Sequence, residues 1–335
     1  MSALLQFTDK GIYCEAGDFY IDPVRPVHRA IITHAHSDHA YRGHALYLAH
    51  RQSVPVLRQR LGADIRVQSM EYDEKLVHNG VTVSLHPAGH IIGSSQVRVE
   101  WKGEVWVAAG DYKIADDGIS VPFEPVRCNT FITESTFALP VYRWKTQEKI
   151  FGEMEDWWKR NQEQGIASVL LCYALGKAQR ILCGIDNTIG PIYAHGAIEN
   201  VNELLRKGGA PVPEVRLVSS TDKKDAFRNA LILATSSVLN TSWLSGMAPY
   251  AIGVASGWMQ IRGNKRRGAA DIGFALSDHA DWPGLNDAVK ATGATRVFVT
   301  HGFTYQFARW LCEQGLDARE AATSYRGDRV EEDVG

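Results

Sequence analysis

No run in this 335-residue chain approaches the roughly 18 consecutive apolar residues that a membrane-spanning helix needs. The first eleven residues also lack a basic stretch followed by an apolar core and a cleavage site, so the expectation is a cytoplasmic protein with no membrane partner. Cysteine is scarce: Cys14, Cys128, Cys172, Cys183 and Cys312 are odd in number, scattered and without a C-x-x-C pair. Each sits in or beside an apolar run, which argues for reduced core residues and against a disulfide framework or a thiolate metal site. Net charge is nearly absent, at −2, so the whole chain lacks the basic footprint usual in nucleic-acid binders. A local patch survives within that balance, because Arg262, Lys265, Arg266 and Arg267 fall within six residues. Standing alone it reads as a solvated basic loop. Repeats and low-complexity tracts are missing, and the Gly/Pro-rich residues 207–213 read as a loop rather than a domain linker. With 45% apolar and 22% charged residues the chain is an ordinary globular protein, long enough for one large domain or two moderate ones.

Histidine is concentrated. Thr33-His34-Ala35-His36-Ser37-Asp38-His39 follows the apolar run Arg29-Ala30-Ile31-Ile32, which places three imidazoles and a carboxylate at the end of a buried strand. Alternation along an extended strand end puts His34 and His36 on one side, while the turn and helix start expected next swing Asp38 and His39 toward a second point. One short segment can therefore serve two metal ions.

Short runs rich in Val, Ile and aromatics predict strands at residues 19–21, 29–33, 46–49, 81–85, 105–109 and 130–133, so the first half is strand-dominated. Between residues 147 and 164, Ile150, Phe151, Met154, Trp157 and Trp158 follow helical spacing. Thereafter strands at 168–173, 271–276 and 296–300 alternate with helices at 177–183, 198–207, 285–290 and from 303. That alternation predicts a parallel α/β module with helices on both sides.

Further polar residues stand where the histidine cluster stands, just after a strand: His90, Asp111, Glu134, His279 and His301. Loops at one edge of a rigid sheet are where distant parts of a chain can assemble a site. A lone histidine there is more often a hydrogen-bonded surface residue, but five such positions together reverse that weighting.

The series His34-x-His36-x-Asp38-His39, His90 and Asp111 resembles the metallo-β-lactamase superfamily, and Asp22 matches its early aspartate that orients the ligand loop. Glu134 in Thr-Glu-Ser-Thr-Phe, His279 in Ser-Asp-His-Ala-Asp and His301 in Thr-His-Gly are similar to signatures of its β-CASP nuclease branch. The runs around Gly176-Lys177 and Ser256-Gly257-Trp258 resemble motifs of the domain inserted in that branch. Over nearly the whole chain the pattern is similar to bacterial ligase-associated DNA damage response exonucleases. The resemblance implies an α/β fold: an αββα sandwich, residues 1–145 and 271–335, with an inserted β-CASP α/β domain at 146–270. It implies one metal held by His34, His36 and His90, a second by Asp38, His39 and His301, and Asp111 bridging. Imidazole-rich ligation without thiolate suits zinc, with manganese compatible.

Two divalent ions can supply hydroxide at neutral pH and neutralise the charge that develops in an in-line displacement at phosphorus. His279, oriented by Glu134, is the candidate for contacting the scissile phosphate and assisting departure, with Asp38 essential among the ligands. The turn at Gly176, Lys177 and Gln179 opens a helix and could cradle a phosphate, although a plain strand-to-helix turn explains it equally well without the resemblance. The basic residues Arg262, Lys265, Arg266 and Arg267 gain weight as a backbone-tracking patch, while Trp243 and Trp258 are read as core. The implied function is a metal-dependent exonuclease acting on single-stranded DNA in repair, with an ATP-dependent DNA ligase and a helicase as implied partners. RNA processing is the nearest rival. A small-ester or thioester hydrolase and a non-catalytic scaffold stand further off, since the ligands are all retained and the insert is large.

Overall fold

A computed structural model of the chain describes residues 3–219, 224–262 and 270–321, with Lys224 and Arg262 described by their backbone alone. Lys265, Arg266 and Arg267, and the side chain of Arg262, therefore lie outside the described residues. The described residues divide into two units. One comprises residues 3–116, 120–143 and 279–321, and the other the described residues within 117–119 and 144–278.

In the first unit both sheets run in chain order, although the second unit's residues intervene in sequence between the paired strands Thr130–Glu134 and Arg296–Thr300. The first sheet orders Gln6–Thr8, Gly11–Cys14, Phe19–Ile21, Arg29–Ile31, Leu46–His50 and Val67–Met70. It is antiparallel through its first three strands and parallel thereafter, with helix Val54–Leu61 making the last crossover. The second sheet orders Lys75–His78, Val81–Pro87, Ser95–Trp101, Glu104–Ala108, Thr130–Glu134, Arg296–Thr300 and Asp317–Glu320.

Alternation decides how these sheets pack. Val83, Leu85, Val97, Val99 and Trp106 turn toward Ile12, Phe19, Ile21, Ile31 and Leu48 of the first sheet and form an apolar layer between the two. Val107, Phe131, Val297 and Val299 turn the other way, onto Leu285, Ala288 and Val289 of helix Trp282–Thr292 and Phe307 and Leu311 of helix Thr304–Glu313. Layers of this kind make the α/β sandwich that the motifs imply. The strands Glu104–Ala108, Thr130–Glu134 and Arg296–Thr300 are mutually parallel, so Asp111, Glu134 and His301 leave one edge of the sheet together.

The second unit holds an all-parallel sheet, ordered Arg216–Leu217, Ile192–Ala194, Leu231–Ala234, Ala167–Leu171, Tyr250–Ala255 and Ile272–Phe274. Leu170, Leu231 and Leu233 face the helices Gln147–Glu163 and Lys177–Gly184, while Val169, Leu171 and Ile232 face Phe227, Val238 and Leu244. Both faces are covered, as parallel sheets require. Trp158 is fully buried there and its indole N–H donates to the carbonyl of Asn229 at 3.0 Å. Replacing it by alanine removes both packing and that bond. Trp158→Ala is expected to cost about 3–5 kcal/mol in the urea unfolding transition.

Burial holds the His50 imidazole of the first unit down at about 4, stacked on Tyr72 with ring centroids 3.7 Å apart. The unfolded chain takes up that proton near 6.5, so stability is present above that pH and is lost as pH falls from about 6.5 toward about 4. His50→Gln is expected to flatten the pH dependence of unfolding in this window by up to about 1.4 kcal/mol per pH unit. Among the described residues no helix is long and apolar enough to cross a membrane.

Candidate metal centre

Beyond the Arg29–Ile31 strand the chain turns on the carbonyl of His36, which accepts from the amides of His39 at 3.3 Å and Ala40 at 3.0 Å. The helix start expected at Asp38 and His39 does not form. Thr33, His34, His36 and His39 bury their polar side chains while Asp38 is half-buried and Ser37 exposed, a pattern set by a single turn rather than a helix.

Buried imidazoles are costly unless their nitrogens are satisfied. Three of the rings are held by Nδ1: His34 lies 3.1 Å from the Thr33 hydroxyl, His39 2.7 Å from Asp22 Oδ2, and His301 3.0 Å from the Thr300 hydroxyl. Asp22 also accepts from the amide and hydroxyl of Thr33, at 2.8 and 2.6 Å, which ties the loop to the strand before it. Holding each ring by Nδ1 turns Nε2 toward a common point. The Nε2 atoms of His39, His34 and His90 lie 3.4, 3.6 and 3.9 Å from Asp111 Oδ2.

Candidate ligand atoms of His34, His36, His90 and Asp111 all lie within 4.8 Å of one another, as do those of His39, Asp111 and His301, and those of His34, Asp38 and His39. Asp111 belongs to two of these groups and His39 to two, so neighbouring pockets share side chains. The chemistry fits a cation. His34 Nε2 and Asp111 Oδ1 are buried and have no hydrogen-bond partner among the described residues, a costly arrangement that a divalent ion would relieve.

Charge points the same way. Burial first, then the neighbouring His39, hold His34 well below the usual histidine range, which keeps it a neutral donor. Burial pushes His39 down too, but Asp111, Asp38 and Asp22 outweigh it and raise that ring well above 6.5. Asp111, despite its burial, is held well below the carboxylate range, chiefly by His39. A cation taking this place must displace the His39 proton, so metal affinity should weaken as the medium is acidified.

Glu134 and His279 stand beside the cluster and share a further candidate group with Asp111. Glu134 is fully buried; it accepts from the Tyr112 amide at 2.8 Å, the Thr136 hydroxyl at 2.6 Å and His279 Nδ1 at 2.9 Å. Burial raises its pKa, with His279 the main opposing influence.

No family model matches the chain. Its sequence is 27% identical over 314 residues to a probable DNA ligase of Opitutus terrae, covering 92% of this chain and 30% of that protein. It is 23% identical over 223 residues to an RNase J-like protein of Methanocaldococcus jannaschii, covering 57% and 52%. Over 127 residues it is 27% identical to cleavage and polyadenylation specificity factor subunit 3 of Dictyostelium discoideum, covering 36% and 16%. These similarities support the chain's resemblance to the metallo-β-lactamase/β-CASP superfamily. The chain thus spans from under a fifth to about half the length of these curated relatives within the superfamily. A crystal structure of a protein of unknown function from Enterococcus faecalis shares the fold, with TM-score 0.59, 10% identity and coverage of 90% of this chain and 80% of that one.

Other residues singled out from the sequence belong to the second unit. Gly176 caps helix Lys177–Gly184 at φ 101°, a conformation that favours glycine. Its amide donates to Gln179 Oε1 at 2.7 Å, and Gln179 Nε2 donates to the Ala174 carbonyl and Asn202 Oδ1 at 2.9 and 2.8 Å. Gln179 therefore builds the turn. Lys177 is buried, with Nζ 3.5 Å from Asp278 Oδ2, and Arg180 Nη1 lies 3.3 Å from Asp278 Oδ1. Trp243 and Trp258, read as core, are half-buried.

Sequence reasoning missed the groups that orient the rings: Thr33, Thr300, Tyr112 and Thr136. The signal was present for the first two, since a hydroxyl residue directly precedes a histidine at a strand end in Thr33-His34 and in Thr300-His301. Nothing in the spacing marks a backbone amide such as that of Tyr112.

Proposed function

We propose that the chain is a divalent-metal-dependent nuclease that removes nucleotides from single-stranded DNA during repair. What carries this reading is the pair of pockets that share Asp111, with the Glu134–His279 pair alongside. His34, His36 and His90 would hold one ion and Asp38, His39 and His301 the other, with Asp111 common to both. Five imidazoles and two carboxylates favour zinc, and manganese is the alternative. When bound, the two ions supply charge neutralisation at the phosphate and a hydroxide nucleophile at neutral pH.

The chain's own residues do the rest. Asp22, Thr33 and Thr300 fix the ring planes so that the ligand set is assembled before substrate arrives. Glu134 holds His279 through Nδ1, so Nε2 is the nitrogen that would give a proton to the departing oxygen. Lys177 and the Gly176 turn, with Arg262, Lys265, Arg266 and Arg267, are the proposed contacts to the phosphate backbone of the substrate.

DNA is favoured because nearly the whole chain matches a segment of a protein named a probable DNA ligase. A strand-trimming activity beside end-joining is a coherent pairing, with a DNA ligase and a helicase as partners. RNA is the second reading, favoured by the relatives whose names include an RNase and a polyadenylation factor. Matched single-stranded DNA and RNA oligonucleotides, labelled at either end, should be incubated with zinc- or manganese-loaded protein and an Asp38→Ala control. Mononucleotide release from DNA, absent in the control, is the expected result. Preferential cleavage of RNA would overturn the DNA reading, and inert polymers would overturn the nuclease reading in favour of a small ester.

A further inference from the structure

Lys113 is 2% exposed, and a buried ammonium is costly unless its protons are used. Its Nζ donates to the main-chain carbonyl of Gly89 at 2.7 Å and reaches that of His90 at 3.4 Å. Its own amide donates to the carbonyl of Ala88 at 3.1 Å. One residue, two positions after Asp111, thus grips the segment that carries His90 by both main chain and side chain. Gly89 makes this approach possible: at φ +73°, a Cβ there would stand 2.3 Å from the Lys113 carbonyl and 2.9 Å from the Phe123 amide. The far end of the same loop is closed by Ser94, whose hydroxyl accepts from the His90 amide at 3.1 Å.

We propose that Lys113 is a positioning residue that fixes the His90 imidazole relative to the Asp111 carboxylate, and thereby sets the affinity of the pocket formed by His34, His36, His90 and Asp111 for its ion. The inference rests on the metal-binding reading of that cluster. Two influences of the ammonium oppose each other. Its charge repels a nearby cation, while its grip on the two carbonyls holds a ligand in place. The carbonyl dipoles point at the ammonium and offset its charge locally, so geometry outweighs repulsion. Loss of an orienting group around a metal ligand typically costs about 10- to 100-fold in affinity.

Zinc titrations by calorimetry on apo-protein test this in the wild type, Lys113→Met, Lys113→Gln and a control, Val289→Ala. The control thins the helix-covered side of the second sheet, where Val289 is buried, without touching the cluster. The expected result is two binding steps in the wild type and in Val289→Ala. In Lys113→Met one step should weaken by about 10- to 100-fold while the other holds. Lys113→Gln, which keeps a donor but no charge, should fall between. A rise in affinity in either lysine variant would show that charge dominates and overturn the proposal, as would unchanged steps or an equal loss in Val289→Ala. If Lys113→Met fails to fold, Lys113→Gln alone carries the same expectation of a selective loss in one step. A wild type that takes up no zinc would instead overturn the metal reading itself.

Discussion

Asp111→Ala is expected to abolish hydrolysis, with kcat falling by about 10³-fold or more, because it removes the one carboxylate common to both pockets. Metal ions contribute several kcal/mol of transition-state stabilisation in hydrolytic sites, and each 1.4 kcal/mol is a factor of ten in rate. No neighbour can take over the role. Asp38 offers a carboxylate only to the group with His34 and His39, and Glu134 is already committed to Tyr112, Thr136 and His279. The loss should persist at high metal concentration. Single-turnover cleavage of a labelled strand across a zinc and manganese series checks this, and recovery of rate on adding metal would mean that Asp111 serves one ion only.

His279→Ala is expected to behave differently. Its imidazole is held by Glu134 at 2.9 Å and packs beside the His90 ring, with centroids 4.7 Å apart, but it is assigned to neither ion, so metal stoichiometry should survive. The rate should not. Removing a positioned acid–base group typically costs about 10²- to 10⁴-fold. A substrate with a good leaving group, such as a nitrophenyl phosphodiester, needs no proton at departure and should lose far less. Equal losses on both substrates would assign His279 to phosphate binding or metal retention. Glu134→Gln should fall in the same direction as His279→Ala, and the double variant should add little, since the two side chains act as a unit.

How far these expectations reach back into the sequence differs from part to part. The candidate cluster was legible because a metal site needs specific atoms, and His34, His36, Asp38 and His39 would supply them within six positions. Strand ends were legible for a related reason: apolar runs stop where polar ligands start, as at Ile32 and at Thr300. Strands with weak alternation escaped. Gln6–Thr8 and Lys75–His78 are short edge strands whose residues are largely half-exposed, and Ser95–Trp101 interleaves Gln96, Arg98 and Glu100 with its core valines. The turn that carries Asp38 and His39 was misread as a helix start because the outcome depends on inward-facing contacts with Asp22 and Thr33, which no local propensity records. The roles of Gln179 and Lys177 were equally hidden. Their partners, Asn202 and Asp278, lie 23 and 101 positions away in sequence.

Native mass spectrometry of the wild-type chain, loaded with zinc and desalted, counts the divalent ions that this cluster holds at once. The expected result is a dominant species with two ions per chain, passing through a one-ion species as metal is withdrawn. A chain that carries a single ion at saturation, or none, would contradict it.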